Sequence, residues 1–302
     1  MKYSFVVPCT DRISDLQSCI VSIEKAHKYV KSIEIEIVVV FNGGVDGSQH
    51  IKTEFSELVF FHTIKEMGAS KARNYGCQKS TGDYLIFVDD DAVIKYDFLA
   101  ILLTHLSDSL AQVFCGKILN ILDQTPYTDV FRDNNKKYLK RMDYYYFMAS
   151  AVVIKKEIFE KIGLFDEKFG PGAQYFTAEE SDLFFRLIQS GEKILYLPDL
   201  VVFHPVLIET APNKVFRYAY ASGAMFAKQI FSDKAYSIVY LFFFSRTVLK
   251  SFIRSLQNII SPKSLMNKNK RFQYAAVFRG IIKGFIEYIH NEKIKPMFKE
   301  KR

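Results

Sequence analysis

Tryptophan is absent from the 302 residues, and cysteine occurs only four times, at Cys9, Cys19, Cys77 and Cys115. The four are widely separated, with no CxxC pair and no Cys/His ligand spacing, so they read as reduced, mostly buried thiols of a cytoplasmic protein. Long apolar runs are missing too. The opening MKYSFVVPCTDR holds an apolar run too short for a signal peptide, and charge follows at once. The most apolar later stretch, Tyr236–Ser245, is closed by Arg246. Spanning a bilayer takes about 20 apolar residues, so that stretch does not form a transmembrane helix by itself. Internal repeats and low-complexity runs are likewise absent.

What is present is a chain able to bury a full core. Apolar residues make up 49% of it, and aromatics 15%, all of them Phe and Tyr. Its charge is unevenly placed. Residues 1–205 carry 23 Lys+Arg against 28 Asp+Glu, a net −5, whereas residues 206–302 carry 18 against 5, a net +13. A basic C-terminal third on a mildly acidic body points to an anionic partner surface. That partner is read as a membrane rather than nucleic acid, since no nucleic-acid module is recognisable.

The first 120 residues alternate strand-like and helix-like segments. Tyr3–Cys9, Glu34–Phe41, Leu58–His62 and Asp83–Val88 read as strands. Residues 14–28 with Ser14 as N-cap, Asp46 to about Phe55, and residues 69–79 read as helices. Strands separated by single helices imply βαβ units and a parallel sheet. In such a sheet a ligand sits at the carboxyl ends of the strands. The segments Pro8–Arg12, Asn42–Ser48 and Asp89–Asp91 fall there, and all three are polar or Gly-rich. The stretch Asn267–Arg271 reads as a loop between C-terminal helices.

Asp89, Asp90 and Asp91 directly follow an apolar strand, in IFVDDDAV. Three like charges at a strand end are destabilising unless something cationic offsets them. A divalent cation with oxygen ligands, Mn²⁺ or Mg²⁺, would do so together with substrate phosphates. A second acidic group, Glu179, Glu180 and Asp182, opens an apolar helix behind the approach Gly170-Pro171-Gly172. Acids in a first helical turn are partly explained by the helix dipole.

Six ordered segments carry a family resemblance: FVVPCTDR (5–12), VVVFNGGVDGS (38–48), GASKARNYGCQKSTGDYLIFVDDDA (68–92), KEIFEKIGLFDEKFG (156–170), AEESDLFFRL (178–187) and LYLPDLVVFHP (195–205). Together they resemble glycosyltransferase family 2, the inverting, nucleotide-sugar-dependent enzymes of the GT-A fold, of bacterial surface-polysaccharide type. The resemblance implies an α/β fold of GT-A type, with a Rossmann-like, mostly parallel central sheet flanked by helices and a helical C-terminal extension. It implies that Asp89 and Asp91 form the DxD pair contacting ribose and metal-bound diphosphate, with Asp90 between them. It places Glu180 as the general base, in a Glu-Glu pair where the family has Glu-Asp. Pro8, Thr10 and Arg12 fall in the nucleotide-facing first loop, Arg73 and Asn74 where the family approaches the donor, and His204 at the family's late His, a metal or diphosphate contact. The Asp that often follows the second strand is replaced here by Phe41 before Asn42, which leaves Asp46 in register with a later family Asp. Asp182 and Arg186 match helix positions of a structural kind.

The implied reaction moves a sugar from a nucleotide-diphosphate sugar, a UDP-sugar, to a saccharide acceptor. A lipid-linked glycan at the inner face of the cell membrane is the expected acceptor. A non-catalytic carbohydrate-binding or scaffold protein of the same fold and a nucleotidyltransferase are the alternatives. FVVPCTDR lacks the Gly-rich phosphate loop that the second would carry. The segment Asp123–Tyr146 is expected to shape the acceptor site.

The division expected is a catalytic domain over 1–205 and a basic helical region over 206–302. On a helical wheel, Arg246, Lys250 and Arg254 fall opposite Val248, Leu249, Phe252, Ile253, Leu256, Ile259 and Ile260. Residues 273–289 repeat the pattern, with Tyr274, Val277, Phe278, Ile281, Phe285 and Tyr288 facing away from Arg279 and Lys283. Such helices either lie in a membrane interface or pack their apolar sides on protein.

Overall fold

The computed structural model describes residues 1–30, 32–52, 56–108, 110–206, 212–260 and 268–294. Residues cluster into two units: Met1–Glu167 with Leu183–Leu207, and Lys168–Asp182 with Ile208–Arg302. The loop from residue 168 and the first turn of the helix that follows it thus group with the C-terminal helices.

In the first unit, β1 (Lys2–Cys9), α1 (Ile13–Val30), β2 (Glu34–Asn42), β3 (Val59–Ile64), α2 (Ala69–Lys79) and β4 (Tyr84–Phe87) build a parallel half-sheet in the order β3-β2-β1-β4. Strands β1 and β2 are apolar along most of their length because both faces are covered; Phe5 and Val6 on β1 and Val39 and Val40 on β2 have no exposed surface. The second half adds β5 (Val93–Ile94), α3 (Phe98–Asp108), β6 (Val113–Asn120), β7 (Lys137–Tyr138), β8 (Val152–Lys155), α4 (Lys156–Ile162) and β9 (Ile194–His204). Strand β8 enters antiparallel between β4 and β6, and β5 and β7 pair antiparallel to β9, so the full sheet is mixed.

One carboxylate ties the parallel half together. Glu36 on β2 is 3% exposed and accepts Ser4 Oγ of β1 at 2.6 Å, the Thr81 N–H at 2.5 Å and Thr81 Oγ1 at 2.8 Å, with Lys2 Nζ 2.7 Å away. Burial opposes its charge, but these donors outweigh burial and bring its pKa down to about 2.

Two local expectations change. The helix expected from Asp46 to about Phe55 is a single 3₁₀ turn, Ser48–His50, and residues 53–55 lie outside the described residues. Asp46 accepts the Ser48 N–H at 2.9 Å, a local bond that competes with helix formation. Gly43 and Gly44 just before it have φ of +86° and +78°, a left-handed turn that glycine adopts without strain. Ser14 lies inside the first turn of α1 rather than capping it, since Leu16 N already bonds Arg12 O.

The second unit holds α6 (Pro212–Ser232), α7 (Ser237–Ile260) and α8 (Lys268–Ile289). Residues 268–271, expected in a loop, begin α8, and Asn267 lies outside the described residues. Helices α6 and α8 touch backbone to backbone through small residues: Gly223 faces Ile281 O, Gly280 faces Phe216 O, and Gly284 faces Tyr220 O. Beside this seam Tyr175 packs on Phe169 (4.9 Å between ring centroids), Tyr288 (5.8 Å) and Tyr220 (6.0 Å).

Candidate active site

The carboxyl end of β4 runs into Val88 and then Asp89–Asp91, closed by a turn in which Ala92 N donates to Asp89 O at 3.0 Å. Strand β5 follows at once and pairs antiparallel with β9, matching Val93 to Phe203. That register carries His204, the last residue of β9, to the aspartates. Its Nε2 lies 3.2 Å from Asp91 Oδ1 and 3.7 Å from Asp89 Oδ2, and its Nδ1 is 2.9 Å from Pro205 O. Asp89, Asp91 and His204 offer ligand atoms that all lie within 4.8 Å of one another.

Two arginines meet the same aspartates. Arg73 on α2, with a side chain 4% exposed, donates through Nη2 to Asp89 Oδ1 at 2.6 Å. Arg12, just past β1, forks onto Asp90 and Asp91 with its two terminal nitrogens. Its side chain is 45% exposed. The electrostatics follow from this balance. Burial works against the Asp89 charge, but Arg73 and His204 hold its carboxyl well below the usual range. Asp90 is 1% exposed, and burial pushes it up to about 6 although Arg12 pulls the other way. For His204 burial disfavours the imidazolium, yet its pairing with Asp89 and Asp91 raises the pKa to about 10. With no other ion present, three carboxylates therefore face two guanidiniums and one imidazolium.

The residues fit a divalent cation. Two carboxylates and one imidazole form a hard-to-borderline O,O,N set suited to Mn²⁺ or Mg²⁺. The buried Oδ1 of Asp91 lies at ion-pair distance from His204 yet accepts no well-formed hydrogen bond, which leaves that oxygen a lone pair for a ligand.

The remaining expected site residues divide. Thr10 is half-buried beside Arg12 at the end of β1, and Pro8 is buried within β1, opposite Val40. Asn42 is a brace: its Nδ2 donates to Cys9 O at 2.7 Å and its Oδ1 accepts the Gly68 N–H at 3.1 Å, so it joins the ends of β1 and β2 to the start of α2. Asn74 likewise bridges to Phe165 through both amide atoms at 2.9 Å and to Glu167 at 3.0 Å. Asp46 is fully exposed and bonds within its own turn. Arg186 closes the end of α4, donating to the carbonyls of Ile162 (3.0 Å), Gly163 (2.8 Å) and Leu164 (2.8 Å).

Glu180 lies in the second unit, in the first turn of α5 (Glu179–Gln189), where it is half-buried while Glu179 is 4% exposed. Asp182 is fully buried and pairs with Lys228 Nζ at 2.6 Å, a structural role. Phe176 and Ala178, immediately before α5, have φ of +52° and +75°. Left-handed backbone at non-glycine residues stores strain, and such strain gathers where a loop must aim a side chain. Nothing in the residue types signals it. Tyr127 packs its ring edge-on against His204, with centroids 5.3 Å apart. Its place in the Asp123–Tyr146 segment was its only sequence signal.

The chain belongs to glycosyl transferase family 2, whose sequence profile matches residues 4–163, just over half of the chain. It is 33% identical over 119 residues to the glycosyltransferase GlyA of Streptococcus pneumoniae, a match covering 38% of this chain and 16% of GlyA. The next two curated relatives are covered over 50% and 32% of their lengths, so the chain spans half or less of each of the three. Among solved structures it resembles Staphylococcus aureus TarS 1–349, with a TM-score of 0.62 at 14% identity over 96% of this chain and 82% of that one. It also resembles the Pyrobaculum calidifontis mannosyltransferase PcManGT in complex with GDP-Man and Mn²⁺, at 0.63 and 17% identity over 96% and 88%. At such identities the likeness is one of fold, the GT-A architecture.

Proposed function

We propose that the chain is a metal-dependent, inverting glycosyltransferase that moves a sugar from a UDP-sugar to a saccharide acceptor, a lipid-linked glycan at the cytoplasmic face of a membrane. The observation that carries this reading is the convergence of Asp89, Asp91 and His204 at the carboxyl edge of the sheet of a family 2 chain. TarS has been solved with UDP-GlcNAc and PcManGT with GDP-Man and Mn²⁺, which supports a nucleotide-sugar donor and a divalent ion.

Asp91 and His204 would hold Mn²⁺ or Mg²⁺, with Asp89 reaching the ribose and the diphosphate side. The bound ion supplies charge neutralisation to the departing diphosphate, so no general acid is needed. Arg12, the more exposed of the two arginines, releases Asp91 and turns to the diphosphate, while buried Arg73 keeps Asp89 ionised and oriented. Glu180 takes the proton of the acceptor hydroxyl as that oxygen attacks the anomeric carbon, giving in-line displacement. Its accessibility beside buried Glu179 favours it as the base.

The test is a panel of nucleotide sugars assayed for nucleotide release with Mn²⁺ or Mg²⁺ and with EDTA. Release from at least one donor that stops in EDTA and returns with metal is expected. A protein that binds donor but never turns over would be the non-catalytic alternative. Pyrophosphate release from a nucleoside triphosphate would mark a nucleotidyltransferase.

A further inference from the structure

Both C-terminal helices are amphipathic in sequence, but they dispose of their apolar sides differently. Helix α8 turns its apolar side inward: Ile281 is 1% exposed, Tyr288 7%, and Phe285 stacks on Phe244 with centroids 4.2 Å apart. Packing on protein explains that face, and among the described apolar residues of α8 only Ile286 stands exposed. Helix α7 does the opposite. Tyr240 and Ser251 are its buried side, while Ile238, Leu241, Phe242, Leu249, Phe252, Ile253 and Leu256 are between 39% and 83% exposed. Their spacing of three, four and seven residues places them on one stripe that runs about 27 Å along the helix at ~1.5 Å per residue. Exposed apolar surface of this extent marks an interaction site.

Charge identifies the occupant. Arg246, Lys250 and Arg254 flank the stripe on one side, all exposed, and residues 237–260 contain no Asp or Glu. Cations beside an aromatic and aliphatic stripe, without a single acid, match the two-layered chemistry of a bilayer surface, with anionic headgroups outside and acyl chains below. Spanning is excluded by the same three charges, and no described helix is long and apolar enough to cross a membrane. Resting on the membrane-surface reading above, we infer that the outward face of α7 is the membrane-binding surface among the described residues. The helix lies in the interface plane of an anionic bilayer, with Phe242, Leu249 and Ile253 entering the acyl boundary and Arg246, Lys250 and Arg254 at the headgroups.

The full chain is to be co-sedimented with phosphatidylcholine vesicles with and without phosphatidylglycerol. Wild type should pellet with the anionic vesicles at low salt. Joint replacement Arg246→Gln, Lys250→Gln and Arg254→Gln should weaken binding to them by about 5-fold per cation, roughly 100-fold in all, and the loss should shrink at high salt. Joint Phe242→Gln, Leu249→Gln and Ile253→Gln should cost tenfold or more at either salt, and Ile286→Gln on α8 should change nothing. All are exposed positions whose replacement leaves the fold in place, which circular dichroism checks, in particular for Arg254, which also donates to Tyr274 Oη of α8 at 2.9 Å. Wild type that stays in the supernatant, an apolar triple variant that still pellets, or a wild-type dimer that this variant turns into monomer in sedimentation velocity would each overturn the assignment. Nucleotide release in detergent-free buffer reads the enzymatic proposal separately. A catalytically silent protein that pellets, or an active one that does not, tells the two failures apart.

Discussion

Gly284→Ala is the sharpest test of how the C-terminal helices hold together, because intrinsic propensity and packing predict opposite signs. Alanine in an open helix position stabilises by about 1 kcal/mol relative to glycine. At Gly284, however, an added Cβ would sit 1.9 Å from Tyr220 O and 2.7 Å from Tyr220 C, backbone atoms of α6 that have no rotamer to yield. Restoring ordinary contact means moving α8 away by more than 1 Å, and a gap of 0.5–1 Å already forfeits about a quarter to a half of the local dispersion attraction. The neighbours are no freer: Gly280 would meet Phe216 O at 2.6 Å and Gly223 would meet Ile281 O at 2.0 Å. Overpacking against a backbone falls at the upper end of the usual cost, about 3 kcal/mol, and outweighs the gain in propensity. Urea unfolding followed by far-ultraviolet circular dichroism at 222 nm reads mainly helix, to which α6, α7 and α8 contribute alongside the helices of the first unit. A midpoint shifted down is expected for Gly284→Ala, with Lys283→Ala on the exposed side unchanged. A shift upward by the propensity value would refute the close helix contact.

Asp91→Ala should abolish turnover and Mn²⁺-dependent donor binding while leaving the unfolding midpoint near that of wild type, as read by nucleotide release and circular dichroism. Full activity in EDTA would remove the metal assignment. Glu180→Gln keeps shape but not basicity, so transfer should fall about 10²–10⁴-fold with donor affinity kept; if Glu179→Gln is the damaging change instead, the base is the buried neighbour. Glu36 has a folded pKa of about 2, below its ordinary value of 4.5, so its contribution is complete above about pH 4.5 and is lost as pH falls through about 2. Glu36→Gln should therefore cost about 2–3 kcal/mol at pH 7 and progressively less in urea titrations carried down to pH 2.

The parallel half of the sheet was legible because its strands are buried on both faces. A run such as EIEIVVVF has no other stable use once its neighbours alternate as helices. The second half was harder to read. Strands β5 and β7 are two residues each, too short to leave a periodic trace, yet β5 sets the register that brings His204 to Asp91. The failed helix after Asp46 shows a local bond defeating a periodic pattern. In the C-terminal third the wheel found two amphipathic helices, but amphipathicity records only that a helix has two sides. Which side faces protein depends on the small residues Gly223, Gly280 and Gly284, and these pair across more than fifty residues of sequence.

At the site, sequence located the acids and not what answers them. Three adjacent aspartates suggested a missing cation, yet the chain itself supplies three positive groups to the same carboxylates. Charge balance alone is therefore no argument for a metal. The difference in burial between the two arginines is the better one. Arg73 is buried and fixed on Asp89, as a permanent counter-charge should be, whereas Arg12 is nearly half exposed and grips Asp90 and Asp91 from the loop after β1. A guanidinium so placed can leave without unfolding anything, and its departure uncovers the carboxylate that stands beside His204. Asp90 gives the same division from the other side. It is the most buried of the three and the one whose pKa burial carries above the usual range, whereas Asp89 and Asp91 on either side both stand beside His204. The alternation in DxD is in this sense a consequence of the turn after β4: closed by Ala92 N on Asp89 O, it leaves the first and third carboxylates beside His204 and the second buried.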